Sequence, residues 1–238
     1  MKKVKFNIIL LFTAIAFLIS SCNFQCVEPE GPIITDTKVL EDFSGIEIGV
    51  SADVKLIIGD EPSLKITAPE SYINAISTNV GRRILKVTGD VCKAENSDIK
   101  IVITSPKIND IVISGSADIY SDSPLRTDNL TLGVRGTGSI SLNIFTNEVE
   151  AIINGSGNII LNGTSESMEI AINGSGDFKG LGLNSFKARV KISGSGNASV
   201  VAHSKLHAAI QGSGNINYSG DPEINMSISG SGKVNKIN

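Results

Sequence analysis

Apolar and polar residues alternate along most of the chain, and in the second half they alternate in register. A Gly-Ser-Gly-Asn-Ile-like segment recurs seven times, beginning at Gly115, Gly136, Gly155, Gly174, Gly194, Gly212 and Gly230. Successive first glycines stand 21, 19, 19, 20, 18 and 18 residues apart. Two residues before them stand Ile113, Val134, Ile153, Ile172, Ile192, Ile210 and Ile228, and four after stand Ile119, Ile140, Ile159, Phe178, Ala198, Ile216 and Val234. The intervening positions are mixed: Ser114, Arg135, Asn154, Asn173, Ser193, Gln211 and Ser229 immediately precede the glycines. A period of two places one face of a strand inside and the other outside. Each repeat therefore reads as a strand, a glycine turn, a second strand and a looser return.

A single repeat of about nineteen residues cannot bury its own apolar face. Stacked at ~4.8 Å, the repeats align these columns into continuous ladders, which predicts an all-β solenoid. Its core includes Ile153, Ile172, Ile192, Ile210 and Ile228. The Asp/Asn column after the turn (Asp118, Asn158, Asp177, Asn197, Asn215) suits local backbone bonding and side-chain stacking. Two other readings of the turns fail. A phosphate-binding glycine loop occurs once and opens a helix. A calcium-binding β-roll has a nine-residue period with Asp in the repeat.

The first half alternates less regularly, in Ile46-Glu47-Ile48, Val54-Lys55-Leu56, Leu64-Lys65-Ile66 and the segments 84–88 and 99–104. Ser51-Ala52-Asp53-Val54 is a degenerate eighth copy, matching Ser116-Ala117-Asp118-Ile119. Residues 72–76 read as a helical turn or a loop. No composition break near residue 110 divides the chain, so residues 38–238 form one elongated β domain.

The segments Phe43-Ser44-Gly45-Ile46-Glu47-Ile48, Val54-Lys55-Leu56 and Tyr72-Ile73 to Leu85-Lys86-Val87, followed by the Gly115-Ser116 and Gly155-Ser156-Gly157-Asn158-Ile159 repeats, carry a family resemblance. The pattern resembles the "putative auto-transporter adhesin, head GIN domain" family over roughly residues 38–237. That resemblance implies a right-handed parallel β-helix, similar in architecture to pectin lyases without their catalytic residues, and a role in adhesion. Gly136-Thr137-Gly138-Ser139 and the final Lys233-Val234 depart from the pattern.

The N-terminus carries a different signal. Met1–Lys5 is basic, Ile8–Ile19 is apolar except for Thr13, and Ser20-Ser21 precede Cys22. This is the order of a secretory signal peptide, assigned to residues 1–21. Ile19-Ser20-Ser21-Cys22 resembles a bacterial lipobox, which implies cleavage before Cys22 and acylation of its thiol and new amino group. Several acyl chains hold a protein on a membrane where one barely does. Residues 22–37, with Pro29, Gly31 and Pro32, read as a lipidated tether. Export permits a disulfide between Cys26 and Cys92, which would pin the tether back onto the domain. The expected location is the cell envelope, lipid-anchored at the outer membrane. Removing the leader's three lysines leaves 18 basic against 24 acidic residues, a net charge of −6. That balance offers no electrostatic footprint for nucleic acid.

Candidate chemistry is sparse. Five residues before each glycine, facing outward, stand Asp110, Thr131, Glu150, Glu169, Arg189, His207 and Asn225. Stacking would bring Glu150 and Glu169 to ~5 Å, a carboxylate pair. A solvated charge ladder with an ordinary Glu169–Arg189 pair explains the column equally well. His203 and His207 lie in a strand region and make no metal motif. No catalytic set, metal site or cofactor is assigned. The reading is a non-enzymatic envelope adhesin or interaction scaffold; the alternative is a carbohydrate-active β-helix enzyme. The column three before each glycine, with Val112, Ile152, Ala171, Lys191 and Ala209, is outward-facing yet mostly small or apolar. It is the candidate interaction face. The expected partners are the membrane, through the lipid anchor, and a protein or glycan of a host or neighbouring cell, or a second copy of the chain.

Overall fold

The structure is a computed structural model that describes residues 26–92 and 99–237. The signal peptide and Cys22 lie outside the described residues. The chain is a β-solenoid in which two parallel ladders run side by side, joined by the glycine turns. The front ladder joins Asp110–Ile113, Asn129–Gly136, Lys205–Gly212, Glu223–Gly230 and the second halves of Ser139–Gly155, Asn158–Gly174 and Asp177–Gly194. Its register pairs Ile113, Val134, Ile153, Ile172, Ile192, Ile210 and Ile228 in succession. The back ladder pairs Ile119, Ile140, Ile159, Phe178, Ala198, Ile216 and Val234. Both are the apolar columns of the sequence.

Between the ladders lies a dry core in which Ile153, Ile172 and Ile192 are wholly buried. Ile228 departs from the expected core: it is 42% exposed, and Met226 beside it in the same strand is 53% exposed. The cause is position. Ile228 packs on Ile210 on one side, and among the described residues no further coil covers the other.

The turns set how closely the coils approach. Gly174 has φ +136°, a backbone conformation that a side chain resists. Its carbonyl accepts from the amides of Ser195 and Gly196, at 2.9 and 3.0 Å, in the next coil. A Cβ added to Gly176 would overlap the carbonyl oxygen of Gly157 below it. The Asx column forms a relay. Asp177 Oδ1 accepts from the amide and side-chain nitrogen of Asn197, both at 3.1 Å, and Asn197 Oδ1 accepts in turn from Asn215 at 3.1 and 3.2 Å.

The N-terminal end departs from simple stacking. Asp53 and Val54 pair with Asp118 and Ile119, as the degenerate repeat predicts. However, Gly45–Ile48 pairs with Ile84–Thr88 on one side and Asp110–Ile113 on the other, so the strands Ile84–Thr88 and Lys100–Ser105 lie outside Gly45–Ile48 and Asp53–Ile58. Beyond it, three strands run antiparallel. Ile33–Val39 pairs with Ser63–Pro69, which pairs with Lys100–Ser105, and Ser77–Gly81 pairs with Ile84–Thr88. Thr35, Asp36, Thr37 and Lys38 make the middle of this edge strand polar, which discourages edge-to-edge association there, while Ile33 and Val39 at its ends are exposed. Residues 33–37, read from sequence as part of the tether, are the first five residues of this edge strand. Its pairing in a reversed direction has no counterpart in the repeat pattern.

A helix at Glu70–Ala75 bridges the two ladders at this end. Pro69 stands just before it with φ −52°, and Glu70 lies in its first turn, where a negative charge suits the helix dipole. Its Tyr72 is fully buried, and the hydroxyl donates to the Cys92 carbonyl at 2.5 Å. Cys92 is disulfide-bonded to Cys26, with Cα atoms 5.0 Å apart. The bridge and the Val27–Val91 pairing hold the start of the described chain against the domain.

One polar group sits poorly in this scaffold. Asp110 Oδ1 is buried without a hydrogen-bond partner. Burial, reinforced by nearby Glu47 and opposed by Arg135, raises the carboxyl pKa above its ordinary 3.8. A raised carboxyl pKa means that folding favours the protonated form. The contribution of Asp110 to stability is therefore full below pH 3.8 and is lost as pH rises through the folded value.

Two predictions follow from burial and charge. Ile172→Asp should destabilise the protein by about 3 kcal/mol or more, because it places a charge between Ile153 and Ile192. Ile228→Asp should cost about 1 kcal/mol at most, because water already reaches that side chain. Equilibrium denaturation of both variants checks the contrast, and equal losses would contradict an exposed last coil. Asp110→Asn should raise the melting midpoint at pH 7, with the gain disappearing below pH 3.8. A pH-independent gain, or a loss at pH 7, would contradict the electrostatic account.

Candidate functional site

The outward surface of the front ladder is built of columns, because each coil places one residue at each height. Three residues before the glycines, Val112, Gly133, Ile152, Ala171, Lys191, Ala209 and Ser227 pair in unbroken succession. Val112, Ile152, Ala171 and Ala209 are half-buried, while Lys191 and Ser227 are exposed. The candidate residues Val112, Ile152, Ala171, Lys191 and Ala209 thus form one continuous strip. The polar column beside it is tied between coils where Asn173 Nδ2 donates to Asn154 Oδ1 at 2.8 Å.

Two positions back, the charged column also stacks. Glu150 pairs with Glu169, Glu169 with Arg189, and Arg189 with His207. Both glutamates are exposed. Arg189 Nε lies 4.0 Å from Glu169 Oε1, an exposed pair worth little to stability. A further column back runs Glu148, Ser167, Lys187 and Lys205. Together these residues line a groove of about 640 Å³, acidic at its Glu148–Glu150–Glu169 end and basic at its Lys187–Arg189–Lys205–His207 end.

At the edge of this groove the strand alternation breaks. Ser185 is fully buried, and Phe186 and Lys187 are then both exposed before Ala188 is buried again. The break turns the chain around a corner and sends Phe186 outward, 61% exposed. Its ring meets His203 edge-on, with centroids 6.4 Å apart. In the coils from Gly136 to Gly212, the corner column read eight residues before the glycines holds polar residues at its other positions: Asp128, Asn147, Glu166 and Ser204.

A hydroxyl column lies just inside the corner. Thr127, Thr146 and Ser185 each donate to the carbonyl two residues ahead, at 3.2, 2.9 and 2.9 Å. Ser165 occupies the same level, paired with Thr146 and Ser185, and is 5% exposed, yet its Oγ has no partner. Ser165 lines a recess of about 520 Å³ with Thr146, Thr164, Glu166, Phe186, Lys187 and Ser204. Lys187 belongs to both recess and groove. The sequence reading missed this recess. Its available signal was Phe186, the lone aromatic in a polar column, visible only when the alignment extends back around the corner.

The two histidines have different surroundings: His203 packs against Phe186, and His207 lines the charged groove. Among the described residues, Cys26, Glu28 and Cys92 come close enough to suggest metal ligands, but the two cysteines are bonded to each other.

This architecture is shared with solved structures. A protein described as a "putative adhesin" from Bacteroides fragilis is 26% identical and superposes with a TM-score of 0.83, over 89% of this chain and all of that one. A "putative lipid binding protein" from Parabacteroides distasonis is 27% identical, with a TM-score of 0.72 over 90% of this chain and all of that one. A "putative adhesin" from Parabacteroides distasonis is 23% identical, with a TM-score of 0.70 over 89% and 99% of the two chains, and supports the fold alone. No curated protein matches. The family model described as "Putative auto-transporter adhesin, head GIN domain" matches residues 42–222, and the chain belongs to that family.

Proposed function

We propose that this protein is a non-enzymatic adhesin of the cell envelope, anchored by lipid at Cys22 and presenting the front ladder as its interaction face. The observation that carries the reading is the unbroken strip from Val112 to Ala209, where every outward residue but Lys191 is small or apolar and the backbone order is set in advance. A surface already ordered loses little entropy when it binds. Membership of an adhesin family and the adhesin names of related structures support the same class of function.

The alternative of polysaccharide cleavage would need the Glu150–Glu169 pair to act as acid and base. A catalytic acid at neutral pH needs burial or a neighbouring charge to hold its proton. These two carboxylates are exposed to solvent, and Arg189 Nε lies 4.0 Å from Glu169 Oε1. The groove is better suited to binding than to protonating a leaving group.

Cys22→Ala should move the protein from the membrane pellet to the soluble fraction; retention in the pellet would place the anchor elsewhere. On intact cells, protease or antibody should reach the wild-type protein, and an inaccessible protein would overturn the adhesin reading. Ile152→Lys with Ala171→Lys should reduce cell attachment or self-association by about tenfold while leaving the melting midpoint within a few degrees. Unchanged attachment by a stable double variant would move the interaction surface off this strip.

A further inference from the structure

We infer that the corner recess at Phe186 is a carbohydrate subsite, and that with the basic end of the adjoining groove it binds an acidic oligosaccharide. The inference deepens the adhesin reading and rests on it. It begins with two features that the solenoid itself does not need. Phe186 turns an aromatic ring to solvent in a column where the adjacent coils place Glu166 and Ser204. Ser165 buries a hydroxyl whose counterparts Thr146 and Ser185 are bonded, and leaves it without a partner in the wall of the same recess. An unpaired buried hydroxyl costs stability, so its retention beside an exposed aromatic ring points to a ligand that satisfies both.

A pyranose ring fits this chemistry. It has an apolar face of C–H groups to lie on Phe186 and a rim of hydroxyls that both donate and accept. Ser165 Oγ–H needs an acceptor; Glu166 accepts, and Lys187 donates. A protein partner would be expected to fill a broad, desolvated apolar centre. Here one ring is set among hydroxyls and charges, the mixture typical of a small polar ligand site.

The charge comes from the continuation. Lys187 leads from the recess into the groove, where Lys205 pairs with it in the next coil and Arg189 pairs with His207. Of these residues only Arg189 has a carboxylate partner, at 4.0 Å. A sugar stacked on Phe186 would therefore place its chain neighbour against Lys187, Arg189 and Lys205, which span two adjacent coils. A uronate residue at that position supplies the complementary carboxylate.

The test uses the full chain carrying Cys22→Ala, with tetragalacturonate and a hyaluronan tetrasaccharide as acidic probes and cellotetraose as the neutral control. The protein contains no Trp, so Phe186→Trp introduces a single tryptophan, excited selectively over the three tyrosines, at the proposed stacking surface. Its emission should shift saturably with at least one acidic probe, more weakly at high salt. By calorimetry, Phe186→Ala should weaken that binding about tenfold or more. Ser165→Ala should also weaken it, while melting at or above the parent temperature, because it removes an unsatisfied hydroxyl. Ser185→Ala should instead melt lower and keep its affinity.

No binding of either acidic probe overturns the proposal. So does equal or tighter binding of cellotetraose, binding insensitive to Phe186→Ala, or a Ser165→Ala variant that is destabilised with its affinity intact. Cell attachment measured in parallel separates the two readings. Attachment without oligosaccharide binding defeats the subsite alone, whereas a protein hidden from the cell surface defeats the adhesin reading whatever the sugar titrations give.

Discussion

Everything in this molecule depends on one contact repeated along its axis: the backbone of each glycine turn resting on the backbone of the turn below. The amides of Ser195 and Gly196 reach the Gly174 carbonyl, and those of Ser213 and Gly214 reach the Gly194 carbonyl. There is no room for a Cβ between Gly176 and Gly157. Because the turns superpose, the strands that leave them superpose as well, and the isoleucine columns close into a dry ladder. The order of causes runs from turn to sheet to core. The apolar columns supply most of the free energy, but glycine sets the register in which that burial is possible.

A stacked scaffold has two ends, and this one treats them differently. The N-terminal end is reversed and stapled: antiparallel strands, a helix with a buried tyrosine, and the Cys26–Cys92 bridge replace the next coil that is not there. At the C-terminal end the core column simply emerges, with Met226 and Ile228 half in water. The difference explains why the first half of the sequence is irregular. Its residues serve two geometries, coil and closure, and no single period describes both.

The repeating part was legible from sequence because its causes are local and periodic. Seven glycine turns aligned the apolar columns, and those columns are the paired ladders of the structure, residue for residue. Even the degenerate Ser51–Val54 copy found its place against Ser116–Ile119. What could not be read belongs to non-periodic causes. The antiparallel path of 33–39 and 63–69, the placement of the strands 84–88 and 100–105 outside 45–48 and 53–58, and the exposure of Ile228 all belong to the ends of the described stack. Phe186 escaped notice for a related reason. Counted back from Val190 and Ala188, alternation predicts an inward ring, and the two consecutive exposed positions at the corner, Phe186 and Lys187, turn it out.

That escape bears on how such a scaffold acquires specificity. In a solenoid, changing one residue alters one square of a fixed lattice and leaves the neighbours in place. The corner column reads Asp128, Asn147, Glu166, Phe186, Ser204, and the hydroxyl level behind it is bonded at Thr127, Thr146 and Ser185 and open at Ser165. The two irregularities lie on adjacent coils in neighbouring columns, and both line the same recess. A fold that repeats for stability cannot discriminate between ligands by its repeats, since every coil offers the same contacts. Recognition must reside in the exceptions. In this protein the exceptions coincide at the corner where an aromatic ring, an unpaired hydroxyl and the edge of a cationic groove meet.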